Sequence, residues 1–419
     1  MELRDRLKIL DPLRSSASAK AGKSGTDNLA DFVPGAERCA EEGCFFRSDS
    51  EFPLDHSHGR VRMDALFGIA ADVLSLIGRD DSLAEANLRN ALFLDTETTG
   101  LAGGTGTVPF LIGIGSFTDT HFRIEQFFMR DYDEERAVLA AVRDRLEKAE
   151  MLVTYNGKAF DLNLLSTRFT LSRMRLKTAE IPHLDLLFTA RRLWKRRLGD
   201  CSLSNVERQL LEFERRDDVP GFLIPGLYFE YLRTRDARRL APVFRHNVWD
   251  ILALVALAAA AGRIYGNPRE ALDHPLDWIS LGRSLESLCR YGEAADCFRQ
   301  ALDLPLGPDV REEALLRLGF TLKRSGNWEK MVLTWEHLTQ QAPHQMRSFE
   351  ELAKYHEHRS GNLREALAVV ERAVMQVELL ETLRPGLMLE ETRASLNRRL
   401  ARLKKKLARK RKWNADETD

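Results

Sequence analysis

The sequence runs to 419 residues, of which 44% are hydrophobic and 30% charged. That is a globular balance with chain enough for two or three domains, and it excludes a wholly disordered, collagen-like or disulfide-scaffold protein. The 63 basic and 63 acidic residues cancel, so attraction to a polyanion needs a local basic patch.

The start, MELRDRLKIL, has no continuous apolar core and no small-residue cleavage site, unlike a secretory signal. Residues 1–35 read as a flexible leader, because SSASAKAGKSGTDN is too polar to bury a core. From Gly35 to Gly59 the text predicts a hairpin or two. Cys39 and Cys44 precede His56 and His58, which invites a zinc site, but the spacing fits no standard finger; zinc and plain local structure both stay open. With Cys201, Cys289 and Cys297 the cysteines are odd in number and scattered. They do not suggest a disulfide framework and fit a reducing, cytoplasmic setting.

Asp64 to Ile77 has helical periodicity through Leu66, Ile69, Val73 and Leu76. Three consecutive strands follow: Ala91 to Leu94 running into Asp95, Val108 to Phe117, and His121 to Phe128. Glu134 to Lys148 reads as an amphipathic helix and Met151 to Tyr155 as another strand, with helices from there to about Gly266. The order predicts an α/β domain over residues 36–266, a mixed sheet covered by helices. Its most apolar stretch, Ile251 to Ala261, is about half the length that crosses a bilayer. It is expected to be a buried helix, with no membrane involvement.

After a proline-bearing break, residues 276–415 read as all helical and repetitive. Ser280-Leu-Gly-Arg, Arg317-Leu-Gly-Phe and Glu351-Leu-Ala-Lys recur, each followed by a turn and a second helix. The three units resemble tetratricopeptide repeats. Such repeats form concave surfaces, so a protein partner is expected. The last helix, Met388 to Trp413, holds a dense basic block from Arg398 to Lys412. It is either a solvated capping helix or a phosphate-binding tail.

Three short motifs carry the chemistry. Asp95 and Glu97 sit two apart at the end of a strand and so share one face. Paired acids repel unless a divalent cation shares their oxygens. Asp161 follows the turn Asn156-Gly157 and opens a helix, where the macrodipole alone would favour it. His246 and Asp250, at i and i+4, share a helix face. Each motif is weak alone. His183 and Asp185, on an apolar stretch, read as a satisfied structural pair. The run Gly103-Gly104-Thr105-Gly106 lacks a Walker lysine and precedes a strand, so a hairpin connection is expected rather than a phosphate loop.

Together and in this order, the motifs resemble those of the DEDD exonuclease superfamily, whose domain has an RNase H-like fold. The text LDTETTGLAGGTGTVPFLIGIG, starting at Leu94, is most similar to the YprB-type family of predicted ribonuclease H-like proteins. The resemblance spans about Phe52 to Arg263 and implies a metal-dependent 3′–5′ exonuclease on single-stranded RNA or DNA. It implies that Asp95 bridges two Mg²⁺ or Mn²⁺ ions, that Glu97 and Asp250 complete the first site, and that Asp161 holds the second. His246 would orient or deprotonate the attacking water. In the superfamily the histidine usually stands five residues before the last aspartate; here the spacing is four, as in the tyrosine subclass. By the same resemblance Thr98, Gly100 and Leu101 meet the terminal nucleotide, and Asn156 and Lys158 touch phosphate. The alternative is a nucleic-acid-binding scaffold that does not cut and whose repeats recruit a partner.

Overall fold

In the computed structural model, which describes residues 28–100, 106–176, 181–383 and 389–416, the apolar run into Asp95 lies near the middle of a seven-stranded sheet. Its strands are β1 (Ala36–Ala40), β2 (Gly43–Pro53), β5 (Ala91–Thr98), β6 (Pro109–Phe117), β7 (His121–Phe128), β8 (Met151–Thr154) and β9 (His183–Asp185). β3 (Ser57–His58) and β4 (Val61–Arg62) form a separate ribbon. The sheet order is β1-β2-β7-β6-β5-β8-β9. The β5-β6-β7 meander and β1-β2 pair antiparallel, while β8 and β9 join β5 in parallel. Parallel neighbours need crossovers. Helix α2 (Glu135–Leu146) supplies one between β7 and β8, and α3 (Asp161–Leu171) one between β8 and β9; α1 (Ala71–Gly78) lies upstream of β5. The α/β class and mixed sheet are as the sequence predicts.

Strands β5 and β6 are apolar on both faces, as expected of strands covered by helices on each side. Phe110, Ile112 and Phe128 join one core cluster with Val138, Val142, Tyr228 of α4 (Ile224–Thr234) and Phe244 of α5 (Ala241–Gly266). Phe110 and Tyr228 stack with centroids 4.0 Å apart. Each such buried ring or branched chain contributes on the order of 1.5–3 kcal/mol.

The approach of α5 to the sheet depends on two glycines. Gly113 and Gly115 sit at alternate positions of β6, so they leave a side-chain-free stripe on one face. A Cβ on Gly113 would stand 2.2 Å from Asn247 Oδ1 and 2.5 Å from Ile251; one on Gly115 would stand 2.6 Å from Ile251. Asn247 and Ile251 are one helical turn apart, so α5 lies along this stripe. Helix α5 is 26 residues long and apolar enough to span a membrane by length, yet from Ile251 to Ala259 it is buried within the fold.

Three expectations are corrected. The leader does not extend to Gly35: from Asn28, which caps a short 3-10 helix, the chain is ordered, and Leu29 and Val33 enter the core. Residues 1–27 lie outside the described part. Cys39 and Cys44 are a cross-strand pair of β1 and β2 joined by a disulfide, so neither thiol is available to zinc. His58 instead bonds Glu207. The helix expected over Asp64–Ile77 is broken into a 3-10 turn, Met63–Gly68, and α1, because Ile69 and Ala70 adopt extended backbone.

The chain divides into two compact units. The sheet unit takes in Glu207–Ala259, while Phe188–Val206 groups with Ala260 onward, so that segment falls inside the predicted first domain but clusters with the helical one. The helical unit is a series of hairpins: α6 (Pro275–Ser287) with α7 (Tyr291–Leu302), α8 (Pro308–Arg324) with α9 (Trp328–Gln341), α10 (Met346–His358) with α11 (Leu363–Leu383), then α12 (Glu390–Asp416). The first turn lies at Leu288–Arg290, since Tyr291 is already helical. In two hairpins a glycine of the first helix faces an aromatic ring of the second, sixteen residues on: Gly282 against Phe298 and Gly319 against Trp335. The basic helix α12 is anchored rather than free. Leu396 and Leu403 are buried, and Glu357 of α10 accepts from Arg402 at 2.8 Å and Lys406 at 2.8 Å.

Two outcomes follow. Gly113→Ala should lower the unfolding free energy by roughly 1–3 kcal/mol through overpacking, read in denaturant melts; unchanged stability would mean that α5 does not depend on the stripe. Burial pushes the Glu357 carboxyl up, but Arg402 and Lys406 hold it at about 2. Its folded value is depressed, so its stabilisation is present above the ordinary glutamate range and lost as pH falls towards 2. Glu357→Gln should therefore flatten acid unfolding of α12 in hydrogen exchange between about pH 5 and 2.

Candidate active site

The register of the sheet sets one row of the site. Asp95 on β5 pairs with Gly113 on β6, which pairs with Gln126 on β7. Opposed residues share a face, so the absent side chain at Gly113 leaves a gap between a carboxylate and an amide. Asn247 fills it. Its Nδ2 donates to Asp95 Oδ2 at 2.8 Å, and its Oδ1 accepts from Gln126 Nε2 at 2.9 Å. Gln126 also donates to the Phe244 carbonyl at 2.8 Å, which fixes the start of α5 over the strand ends.

Helix α5 then places His246 and Asp250 beside Glu97. His246 Nε2 lies 3.3 Å from Asp250 Oδ2 and 3.9 Å from Glu97 Oε1. One ligand atom from each of Glu97, His246 and Asp250 lies within 4.8 Å of the other two, close enough to hold one metal ion. Glu97 Oε1 is buried with no hydrogen-bond partner. Asp161 enters at the first turn of α3 and accepts from Thr96 Oγ1 at 2.5 Å. Its loop is tied down by Asp185, which accepts from the backbone amides of Asn156 at 2.8 Å and Lys158 at 3.1 Å. Asn156 takes a left-handed conformation, φ 69°, which asparagine tolerates. His183 meets Thr154 at 2.9 Å, so His183 and Asp185 are satisfied within the fold.

Electrostatics make the cluster unfavourable as four free carboxylates. Burial, then Asp250, Glu97 and Asp161, push Asp95 well above the ordinary range, against the hydrogen bond from Asn247. Burial likewise raises Glu97 to about 8 and Asp161 to about 6. Asp250 is the exception: burial raises it, but Arg215 and His246 hold it at about 2. Burial lowers His246, yet Asp250 and Asp218 raise it to about 11.

Two site residues carry no motif in the sequence. Asp218 accepts from His246 Nδ1 at 2.8 Å and so aims Nε2 at the acids. Arg215, only 6% exposed, donates to Asp250 Oδ1 at 2.5 Å and to Glu207 Oε2 at 2.6 Å. Glu207 in turn meets His58 at 2.5 Å, and His58 stacks on Phe213. Sequence spacing gives no sign of this chain, because its members come from the β3–β4 ribbon and the segment before α4. Of the residues expected to meet nucleic acid, Asn156 and Lys158 are exposed. Thr98 is buried and donates to the Gly100 carbonyl at 2.7 Å, so its hydroxyl is engaged within its own loop. Leu101, with Gly103, Gly104 and Thr105, lies outside the described residues.

Replacing Arg215 would leave Asp250 and Glu207 buried without their cation, a loss of roughly 3–5 kcal/mol for a broken buried pair. Arg215→Gln should therefore melt well below the parent, and Mn²⁺ should recover more of its melting temperature than of the parent's. Equal melting of both proteins would show that the guanidinium is not the site's counter-charge.

Comparison with known proteins agrees with this architecture. Residues 92–261 match the RNase_H superfamily model RNase_H_2, and domains of that superfamily are usually nucleases. The chain is 31% identical over 374 residues to the "Uncharacterized protein YprB" of Bacillus subtilis (strain 168), covering 87% of each chain. Among solved structures it is similar to the family B DNA polymerase of the archaeon Pyrobaculum calidifontis, at 15% identity and TM-score 0.33, over 46% of this chain and 28% of the polymerase. The chain thus spans about a quarter of that polymerase, and a likeness of this size carries no weight for function. The length and identity of the match with YprB are decisive: the chain belongs to the YprB family, with an RNase H superfamily domain at its centre.

Proposed function

We propose that the chain is a metal-dependent nuclease that removes nucleotides from the 3′ end of single-stranded RNA or DNA. The observation that carries this reading is the convergence of Asp95, Glu97, Asp161 and Asp250 with one buried Glu97 oxygen left without a partner. An all-oxygen set with one imidazole suits a hard divalent cation such as Mg²⁺ or Mn²⁺.

The donors present fit such ions: Glu97 and Asp250 beside His246 for one, Asp95 shared, and Asp161 toward a second. Bound divalent ions would supply the positive charge that stabilises the charged phosphorane-like transition state and eases ionisation of water. The chain's own residues do the rest. Asn247 and Gln126 hold Asp95 in one rotamer. Asp218 holds the His246 ring, so Nε2 faces the acids and can orient the attacking water; the ring, held protonated by Asp250 and Asp218, would take the water's proton only after bound cations had offset those carboxylates and released its own. The new bond joins water oxygen to phosphorus, the P–O3′ bond breaks, and the shortened strand keeps a 3′-hydroxyl. Asn156 and Lys158, exposed on the loop before α3, would meet phosphate.

A second reading, a nucleic-acid-binding scaffold without cleavage, gains from one contact. Arg215 occupies an oxygen of Asp250, a group that the nuclease needs as a ligand. The two readings part in a single assay. With 5′-labelled single-stranded RNA and DNA in Mg²⁺ or Mn²⁺, the nuclease shortens strands stepwise from the 3′ end. Chelator abolishes this, and Asp95→Ala lowers the rate by on the order of 100-fold or more. Intact strands in every metal, with binding retained, would establish the scaffold instead.

A further inference from the structure

The helical unit contains a cavity of about 500 Å³ that the acidic site does not use. It opens where the end of α8, the start of α9 and the helix α10 meet α12, all within the Ala260–Asp419 part of one unit. Trp328 and Tyr355 form part of its wall, with rings inclined by only 24° and centroids 6.1 Å apart. Both are half-buried, whereas the ring that builds the hairpin core is Trp335. Arg359 is exposed and sets its guanidinium 5.0 Å from the Trp328 centroid. Among the described residues no carboxylate pairs with it.

The rest of the lining is cationic. Lys323 and Lys354 share Glu351, and Arg399 and Arg402 share Glu357. Five Lys or Arg side chains line the cavity against Glu351, Glu357 and Glu350, which also pairs with Lys354, so positive charge is in excess. Arg399 Nη1 is buried 3.6 Å from Glu357 Oε2 and makes no hydrogen bond. Lysines and arginines alone would suit any phosphate. A nearly parallel aromatic pair with an arginine over one face adds a flat, polarisable platform, which an acidic peptide has no use for and a nucleobase does. The volume lies within the range of small-ligand pockets.

The geometry points to a second nucleic-acid site here: one nucleotide unit of a single strand, its base stacked on Trp328 and its phosphate held by Arg359 with Lys354 or Arg399. It does not depend on whether the acidic site cleaves. The basic helix thereby takes a defined part, since Arg399 and Arg402 close the pocket.

The test is fluorescence anisotropy of the full-length chain in EDTA, where no metal-dependent cleavage occurs. Labelled oligothymidylate and oligouridylate of about 20 nucleotides are titrated at about 50 to 200 mM salt. Trp328→Ala should weaken binding about tenfold, within the range for loss of one base–aromatic stack, while Trp328→Phe stays within about twofold. Arg359→Ala should weaken binding and reduce the salt slope by about 0.7. Competition by uridine monophosphate that is lost in Trp328→Ala would support recognition of base and phosphate together. Parent-like affinity and salt slope in both alanine variants would overturn the proposal. So would displacement of the strand by oligoglutamate as effectively as by unlabelled strand, which would make the pocket a protein-binding site. Circular dichroism of each variant checks that the helices persist. Because the readout is binding without metal, its failure is distinct from a failure of cleavage.

Discussion

Four carboxyl groups brought into one buried cluster cannot all be ionised unless positive charge joins them. This repulsion is the constraint around which the sheet unit is organised. Asp95, Glu97 and Asp161 answer it by holding protons at higher pH than isolated acids do. Asp250 answers it by pairing with Arg215 and His246. A fold with no use for a cation gains nothing from such an arrangement, since apolar residues would fill the same space at less cost. The cluster therefore argues for function more strongly than any single motif.

The backbone makes the cluster possible. Alternation along β5 puts Asp95 and Glu97 on one face, and the glycine stripe of β6 lets α5 lie close enough for Asn247 to reach Asp95. Gln126, two strands away, completes the row. Packing and the acidic cluster are thus coupled: the groups that hold α5 to the sheet also fix the orientation of the Asp95 carboxylate, and a change at Gly113 is felt at Asp95 without touching any acid.

Much of this was legible in the sequence. The three strands, the acidic pair at the end of β5, Asp161 at a helix start and His246 one turn before Asp250 all follow from local periodicity, and their order carried the family resemblance. What was not legible depends on long-range pairing. Arg215, Asp218 and Glu207 sit in an irregular, charged stretch whose partners lie elsewhere in the chain. Gln126 looked like one more residue of a strand until the register set it opposite Gly113. The disulfide was missed because cysteine counting addresses frameworks, whereas Cys39 and Cys44 meet only through the β1–β2 register. Glu357, similarly, is one acid among 63 until α12 folds back onto it.

The most direct measurement of the central claim is calorimetric titration of Mg²⁺ or Mn²⁺ into the chain near pH 7, in buffers of different ionisation enthalpy. If the cluster is a cation site that carries protons in its absence, binding must displace them. Saturable binding with net proton release is expected, and loss of both in Asp95→Asn. Binding without proton release, or no binding above that of the Asp95→Asn variant, would contradict the claim.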